Sequence, residues 1–166
     1  VVAGHGAGFG RQPLPERMPP LVARMKSLGR VPSTNRLHLT FSLPLRDPAG
    51  LDELIRELYD PASPLYRQVL TPQAFTARFG PSESDYAALL NFVRTNGFEI
   101  TGTQPSRTLV DVTGSAATVE RVFGVTLHRY RHPHEARDFY APDAEPSITA
   151  PVRLLTTMSA RSRGLD

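Results

Sequence analysis

The chain has no cysteine and no tryptophan among its 166 residues. Without thiols it can form no disulfide, no iron–sulfur cluster and no thiolate metal site, and it says nothing about redox compartment. No apolar run approaches the roughly 20 residues needed to cross a bilayer, and no basic-then-apolar leader opens the sequence, so no membrane partner is expected. Charge of one sign is scarce: 19 Lys and Arg stand against 16 Asp and Glu, a formal +3, interspersed over most of the length. Electrostatics alone therefore make no case for nucleic acid. A Gly-x-Ser-x-Gly elbow is missing as well. The nearest serines, Ser63 and Ser115, have simpler duties, one before a proline in a turn and the other as a helix cap. No solenoid repeat is visible.

What is present suffices for one domain with an ordinary core. Its 16 prolines and 12 glycines are too few to make disorder the default. Residues 1–35 read as an extended arm with a turn or two of helix, 36–158 as the domain, and 159–166 as a linker. Leu37, Leu39, Phe41 and Leu43 alternate with His38, Thr40 and Ser42, the period-2 pattern of a strand with one buried face. Leu51, Leu54, Ile55 and Leu58 recur at helical spacing, with Asp52, Glu53, Arg56 and Glu57 toward water.

A second main helix starts at the cap Ser82, carries Tyr86, Leu89, Leu90 and Val93, and ends at Asn96-Gly97. Phe98 to Thr103 and Thr108 to Thr113 form a hairpin. A third helix follows Ser115, with Ala116, Val119, Val122 and Phe123 on its apolar side, Glu120 and Arg121 on its polar side, and Gly124 as its stop. Val125, Leu127 and Tyr130 make a fourth strand. The order predicts an α+β fold: a ferredoxin-like βαββαβ antiparallel sheet with helices on one face and extended arms at both ends. From His132 on, the pattern reads as a polar extension, with a last short strand at Val152, Leu154 and Leu155.

The most distinctive stretch runs from Tyr59 to Phe79. Pro61, Pro64 and Pro72 lock φ and push Asp60, Ser63 and Thr71 out of the helical region, which makes a stiff connection. Thr71 caps a short helix with Pro72 at its first position, and Gly80 closes it. Tyr66, Leu70, Phe75 and Phe79 are expected as buried anchors, since a solvated linker would not need them.

His128, His132 and His134 fall within seven residues, beside Arg129, Arg131 and Arg137. With no second cluster to complete a coordination shell, no metal is expected. In acid, imidazoles of ordinary pKa protonate and the segment becomes densely cationic, a candidate pH sensor. The competing reading is a solvated edge strand and its loop. RNA-recognition domains share the βαββαβ order, but they need exposed aromatics on the central strand, and Thr108 to Thr113 carries none.

These residues also carry a family resemblance. The run Tyr59 to Tyr66, then Leu70-Thr71-Pro72 and Phe75, then Phe79-Gly80-Pro81-Ser82, resembles the signature of the activation domain of sedolisin-family serine-carboxyl peptidases, the pro-kumamolisin type. Leu43 to Arg46, Asn96-Gly97-Phe98, the block Val112 to Tyr130 and the run Arg137 to Pro142 are similar to it too, so the likeness covers about residues 12–155. In signature terms the matching positions are Asp60, Pro61, Ser63, Pro64, Tyr66, Leu70, Thr71, Pro72, Phe75, Phe79 and Gly80.

The resemblance implies a propeptide that assists folding of a peptidase domain and caps its active site until acid-triggered cleavage. The catalytic domain of a cognate peptidase is then the implied partner, with an extracytoplasmic or secreted location. The tail Ser159, Ala160, Arg161, Ser162, Arg163 and Gly164 would lie in the substrate cleft. The family's Gly-Thr-Ser nucleophile sequence is absent, so no catalytic residue and no cofactor carry over. The alternative is a stand-alone interaction module of the same fold without a peptidase.

Overall fold

The computed structural model describes residues 10–14, 22–135 and 137–157. In chain order the strands are β1 (Gln12–Pro13), β2 (Gly29–Arg30), β3 (Arg36–Ser42), β4 (Glu99–Thr103), β5 (Leu109–Ser115), β6 (Leu127–Arg131), β7 (Asp138–Pro142), β8 (Ser147–Ile148) and β9 (Leu155–Thr157). The helices are α1 (Pro48–Tyr59), α2 (Pro72–Phe79), α3 (Glu83–Thr95) and α4 (Ala116–Phe123). A single 3-10 turn lies at Val22–Arg24.

The alternation in β3 does what its period dictates. Leu37, Leu39 and Phe41 are buried while Arg36 and His38 stay exposed. β3 pairs antiparallel with β5 along its whole length, from Arg36 opposite Ser115 to Ser42 opposite Leu109. β4 pairs with β5 on the far side, with a register shift between Ile100 and Gly102. The sheet order is β4-β5-β3-β9, and α3 and α4 pack on its inner face through Leu89, Val93, Ala116, Val119 and Phe123. At the centre Phe41 meets Phe98 edge-on, Phe92 edge-on and Phe123 in a stack, at centroid distances of 5.7, 6.4 and 6.1 Å.

Helix ends follow local chemistry. Asp47, Thr71, Ser82 and Ser115 each accept a backbone N–H at the start of their helix. Gly124 ends α4 in the left-handed region at φ 66°, the conformation that favours glycine.

Several expectations change. The strand expected from Val125, Leu127 and Tyr130 exists as β6, but it does not join β3. It pairs with β2 and β7 in a second sheet of order β2-β6-β7, while β9 takes the place beside β3. The segment read as a polar extension after His132 forms β7. Its aromatics explain the difference: Phe139 stacks on Tyr130 at 5.7 Å, and with Met25 it covers the small cluster of Val22, Tyr130 and Ala141. The amino-terminal region supplies β1, which pairs with β8, and β2; its Leu14 and Val31 are buried in the main core. On α1 only Leu54 is buried, and Ile55, expected on the apolar face, is 43% exposed.

Glu120 also departs from expectation. Ala116, Val119, Glu120 and Phe123 form one stripe at i, i+3, i+4 and i+7, and all four are buried. The spacing itself places Glu120 amid the apolar face; its residue type had put it on the polar one.

Candidate docking surfaces

The signature stretch folds as a stiff unit between α1 and α2. Asp60 caps α1, and its Oδ1 accepts the N–H of Ala62 at 2.9 Å. Ser63 Oγ accepts the N–H of Leu65 at 3.1 Å, a turn in which serine replaces a backbone partner. Arg67 sits at φ 60° and donates its backbone N–H to Leu58 O at 3.1 Å; its guanidinium lies 5.0 Å from the Tyr66 ring centroid. Such a conformation costs a non-glycine residue free energy, and the hydrogen bond to α1 helps hold it.

Beyond the turn, Thr71 Oγ1 accepts from Ala74 N at 3.2 Å, and Phe75 and Phe79 pack at 5.6 Å. Gly80 caps α2, although in extended rather than left-handed geometry. Its neighbourhood is tight: a Cβ there would lie 2.6 Å from Thr76 O.

Arg46, just past β3, completes the unit. Its backbone N–H donates to Phe79 O, its Nε to Gly80 O, and its Nη2 to Ala77 O, so one cation satisfies the carbonyl end of α2. The burial expectation for this stretch holds only for Phe79. Tyr66, Leu70 and Phe75 are half-buried, and Tyr59 and Val69 are 80% and 84% exposed. Together with Leu58, Tyr66 and Arg67 they line an open groove. The stretch therefore presents apolar surface as well as anchoring itself.

The three histidines do not form one cluster. His128 lies on β6 with Nδ1 3.0 Å from Ser27 Oγ. His132 lies past the end of β6, where its Nδ1 accepts the His134 N–H at 3.3 Å and its Nε2 is 3.6 Å from Glu135 Oε1. Glu135 also accepts from Arg137, which holds its carboxyl below the usual carboxylate range. Arg129 and Arg131 both approach Asp138 on β7, at 3.6 and 3.2 Å. Among the described residues no group of three or more His, Cys, Asp or Glu side chains could hold a metal ion.

The outer face of the four-stranded sheet carries polar cross-strand pairs, with Leu109 opposite Ser42 at one end. Arg36 pairs with Glu99 at 2.5 Å, Thr40 donates to Asp111 at 2.6 Å, and His38 Nδ1 lies 3.1 Å from Thr113 Oγ1. These are cross-strand pairs on one pleat face, the side away from α3 and α4. No aromatic residue of β3, β4 or β5 points outward, since Phe41 faces the core. Residues Ser159 to Gly164 lie outside the described residues.

Glu120, which residue type alone had assigned to solvent, is the one largely buried carboxylate among the described residues, at 9% exposure. Oε1 accepts the Leu127 N–H at 2.8 Å and Arg30 Nε at 3.3 Å; Oε2 accepts Arg30 Nη2 at 2.6 Å. The Arg30 hydrogen bond holds its carboxyl below the usual carboxylate range, with the Leu127 amide adding to the effect against desolvation.

Residues 23–158 match the family described as "Pro-kumamolisin, activation domain". The chain is similar to Xanthomonalisin of Xanthomonas sp. (strain T-22), 32% identical over 114 residues, which are 69% of this chain and 14% of that relative. It is also similar to Sedolisin of Pseudomonas sp. (strain 101), 33% identical over 94 residues, 57% of this chain and 16% of that relative. The chain thus spans only a small part of the length of these relatives. With the family match running from the 3-10 turn to the edge of β9 and taking in the whole signature unit, the chain belongs to the pro-kumamolisin activation-domain family.

Proposed function

We propose that this domain is the propeptide of an acid-active serine-carboxyl peptidase, which it helps to fold and whose active site it blocks until cleavage in acid. The observation that carries the reading is the outer face of the β4-β5-β3-β9 sheet. It is a largely polar, cross-paired surface, and α3 and α4 pack on the opposite side of the sheet. β9 lies at the edge of that same sheet, and the segment next in sequence, Ser159 to Gly164, is the one proposed to enter the substrate cleft. The order β4-β5-β3 with α3 and α4 behind it supports the ferredoxin-like reading of the core, with β9 instead of β6 as its fourth strand. An extracytoplasmic location goes with this role.

Acid would weaken such an interface directly. Glu99, Asp111 and His38 are ionisable groups on the proposed docking face, so the affinity of the complex is expected to depend on pH. His128 on β6, with His132 and His134 in the loop beyond it, are the proposed pH-sensing residues. The signature unit, locked by its prolines and by Arg46, braces the helical side.

The test is inhibition in trans. The chain is added to a separately produced catalytic domain of a sedolisin-family peptidase, and residual activity on a peptide substrate is titrated from neutral pH to about 3. Tight inhibition near neutrality that fades in acid is expected. Glu99→Gln with Asp111→Asn, which keep the side-chain shape and a hydrogen-bond acceptor for Arg36 and Thr40, should weaken it while leaving the chain folded. No inhibition at any pH would remove the propeptide reading and leave an interaction module of the same fold.

A further inference from the structure

We propose that Glu120 is an acid-sensitive latch: while ionised it clamps the β2-β6-β7 sheet to α4, and on protonation in acid it lets that sheet loosen while the four-stranded sheet stays folded. The geometry is specific. A single carboxylate on α4 reaches a cation on β2 and a backbone amide on β6, positions 90 and 7 residues away, and both second-sheet partners converge on its two oxygens. The other fastenings of this sheet carry no charge at α4: Leu127 and Val31 are buried in the main core, and Tyr140 packs against it. β2 contributes two paired residues, and the Tyr130 cluster is small.

The charged groups around the latch come from each packed element. Arg30 on β2 faces it directly. Asp143, after β7, bears on it as a like charge; its Oδ1 accepts the Thr126 N–H at 2.8 Å, which holds its own carboxyl low, and His128 on β6 faces Asp143. Arg11 reaches the next turn of α4 at Phe123 O, and Arg121 is turned away to Asn96.

The sign follows from the direction of the shift. A carboxyl held low by folding contributes stability that is complete above its unfolded value, and that contribution is lost as pH falls through the lower folded value. The latch therefore opens below the ordinary carboxylate range, at the acid end, and not near pH 6 to 7 where an unperturbed imidazole titrates. Its bearing on activation rests on the propeptide reading, but the latch itself is a property of this chain.

Amide hydrogen exchange of the full chain from pH 6 to about 2.5, corrected for the intrinsic rate, is the test. The Leu127, Leu28 and Val31 amides, bonded to Glu120, Arg129 O and Leu127 O respectively, report on the latch; Leu43 and the β5 amides serve as the reference. Protection at the reporters should fall roughly tenfold relative to the reference, the scale of one charge-assisted hydrogen bond. In Glu120→Gln, which keeps the acceptor for Leu127 but not the charge, the relative fall should vanish. In Arg30→Gln its midpoint should move up in pH, a change that a merely structural role of Arg30 would not produce. Reporter protection independent of pH, a fall shared equally by β5, a midpoint near 6.5, or an unchanged profile in Glu120→Gln each overturns the proposal. Because no peptidase is present, failure here is distinct from failure of the inhibition assay.

Discussion

Replacing Phe41 with alanine tests the centre of the core. Its side chain is fully buried and touches three rings, two edge-on and one stacked, contributed by α3, α4 and the segment before β4. Core Phe→Ala changes cost about 3–5 kcal/mol. Aromatic pairs at these separations are worth about 0.5–1.5 kcal/mol beyond burial. Three partners place Phe41→Ala at the upper end, about 4–5 kcal/mol.

Domains of this class are stable by about 5–15 kcal/mol, so the variant should be folded but marginal. Equilibrium urea denaturation followed by far-UV circular dichroism reads this directly; with no tryptophan in the chain, indole fluorescence is not an option. At a slope of about 2 kcal/mol per molar urea, the midpoint should drop by about 2 M. Phe41→Leu, which keeps most of the volume but no ring, should lose about 1.5 kcal/mol. Because Phe41 points away from the outer sheet face, the proposed inhibition, read on the fraction that remains folded, should keep its affinity. A loss below about 1.5 kcal/mol for Phe41→Ala would refute the three-ring centre.

Two further substitutions probe the frame around that centre. Gly114→Ala would place a Cβ 2.6 Å from Phe98 Cδ1, a ring held in the core, and should cost about 1–3 kcal/mol by thermal or urea melts. Thr71→Ala removes the acceptor at the start of α2 and should cost about 1 kcal/mol, with the added exchange confined to the α2 amides.

Much of the fold was legible in the sequence. Alternation in Arg36–Ser42, the helical spacing after Asp47, and the caps at Thr71, Ser82 and Ser115 act between residues one to four apart, and each appears where the residues predict it. The signature unit was recognisable for the same reason: prolines, a serine turn and a threonine cap dictate it locally. Exposure within it was less legible, since Tyr59 and Val69 look like core residues until the surrounding elements are known to leave them uncovered.

Strand partnership lay beyond local reach. Leu127–Arg131 has the composition of an edge strand for either sheet, and only the availability of Gly29–Arg30 and Asp138–Pro142 drew it into the second one. Leu155–Thr157 took the vacant edge of β3, more than 110 residues earlier in the chain. The environment of Glu120 has the same origin. What the sequence by itself determined was a helix whose apolar stripe contains one carboxylate. That this carboxylate meets Arg30 and the Leu127 amide was decided by the tertiary structure, because a buried charge persists only where folding brings a cation and a donor to it.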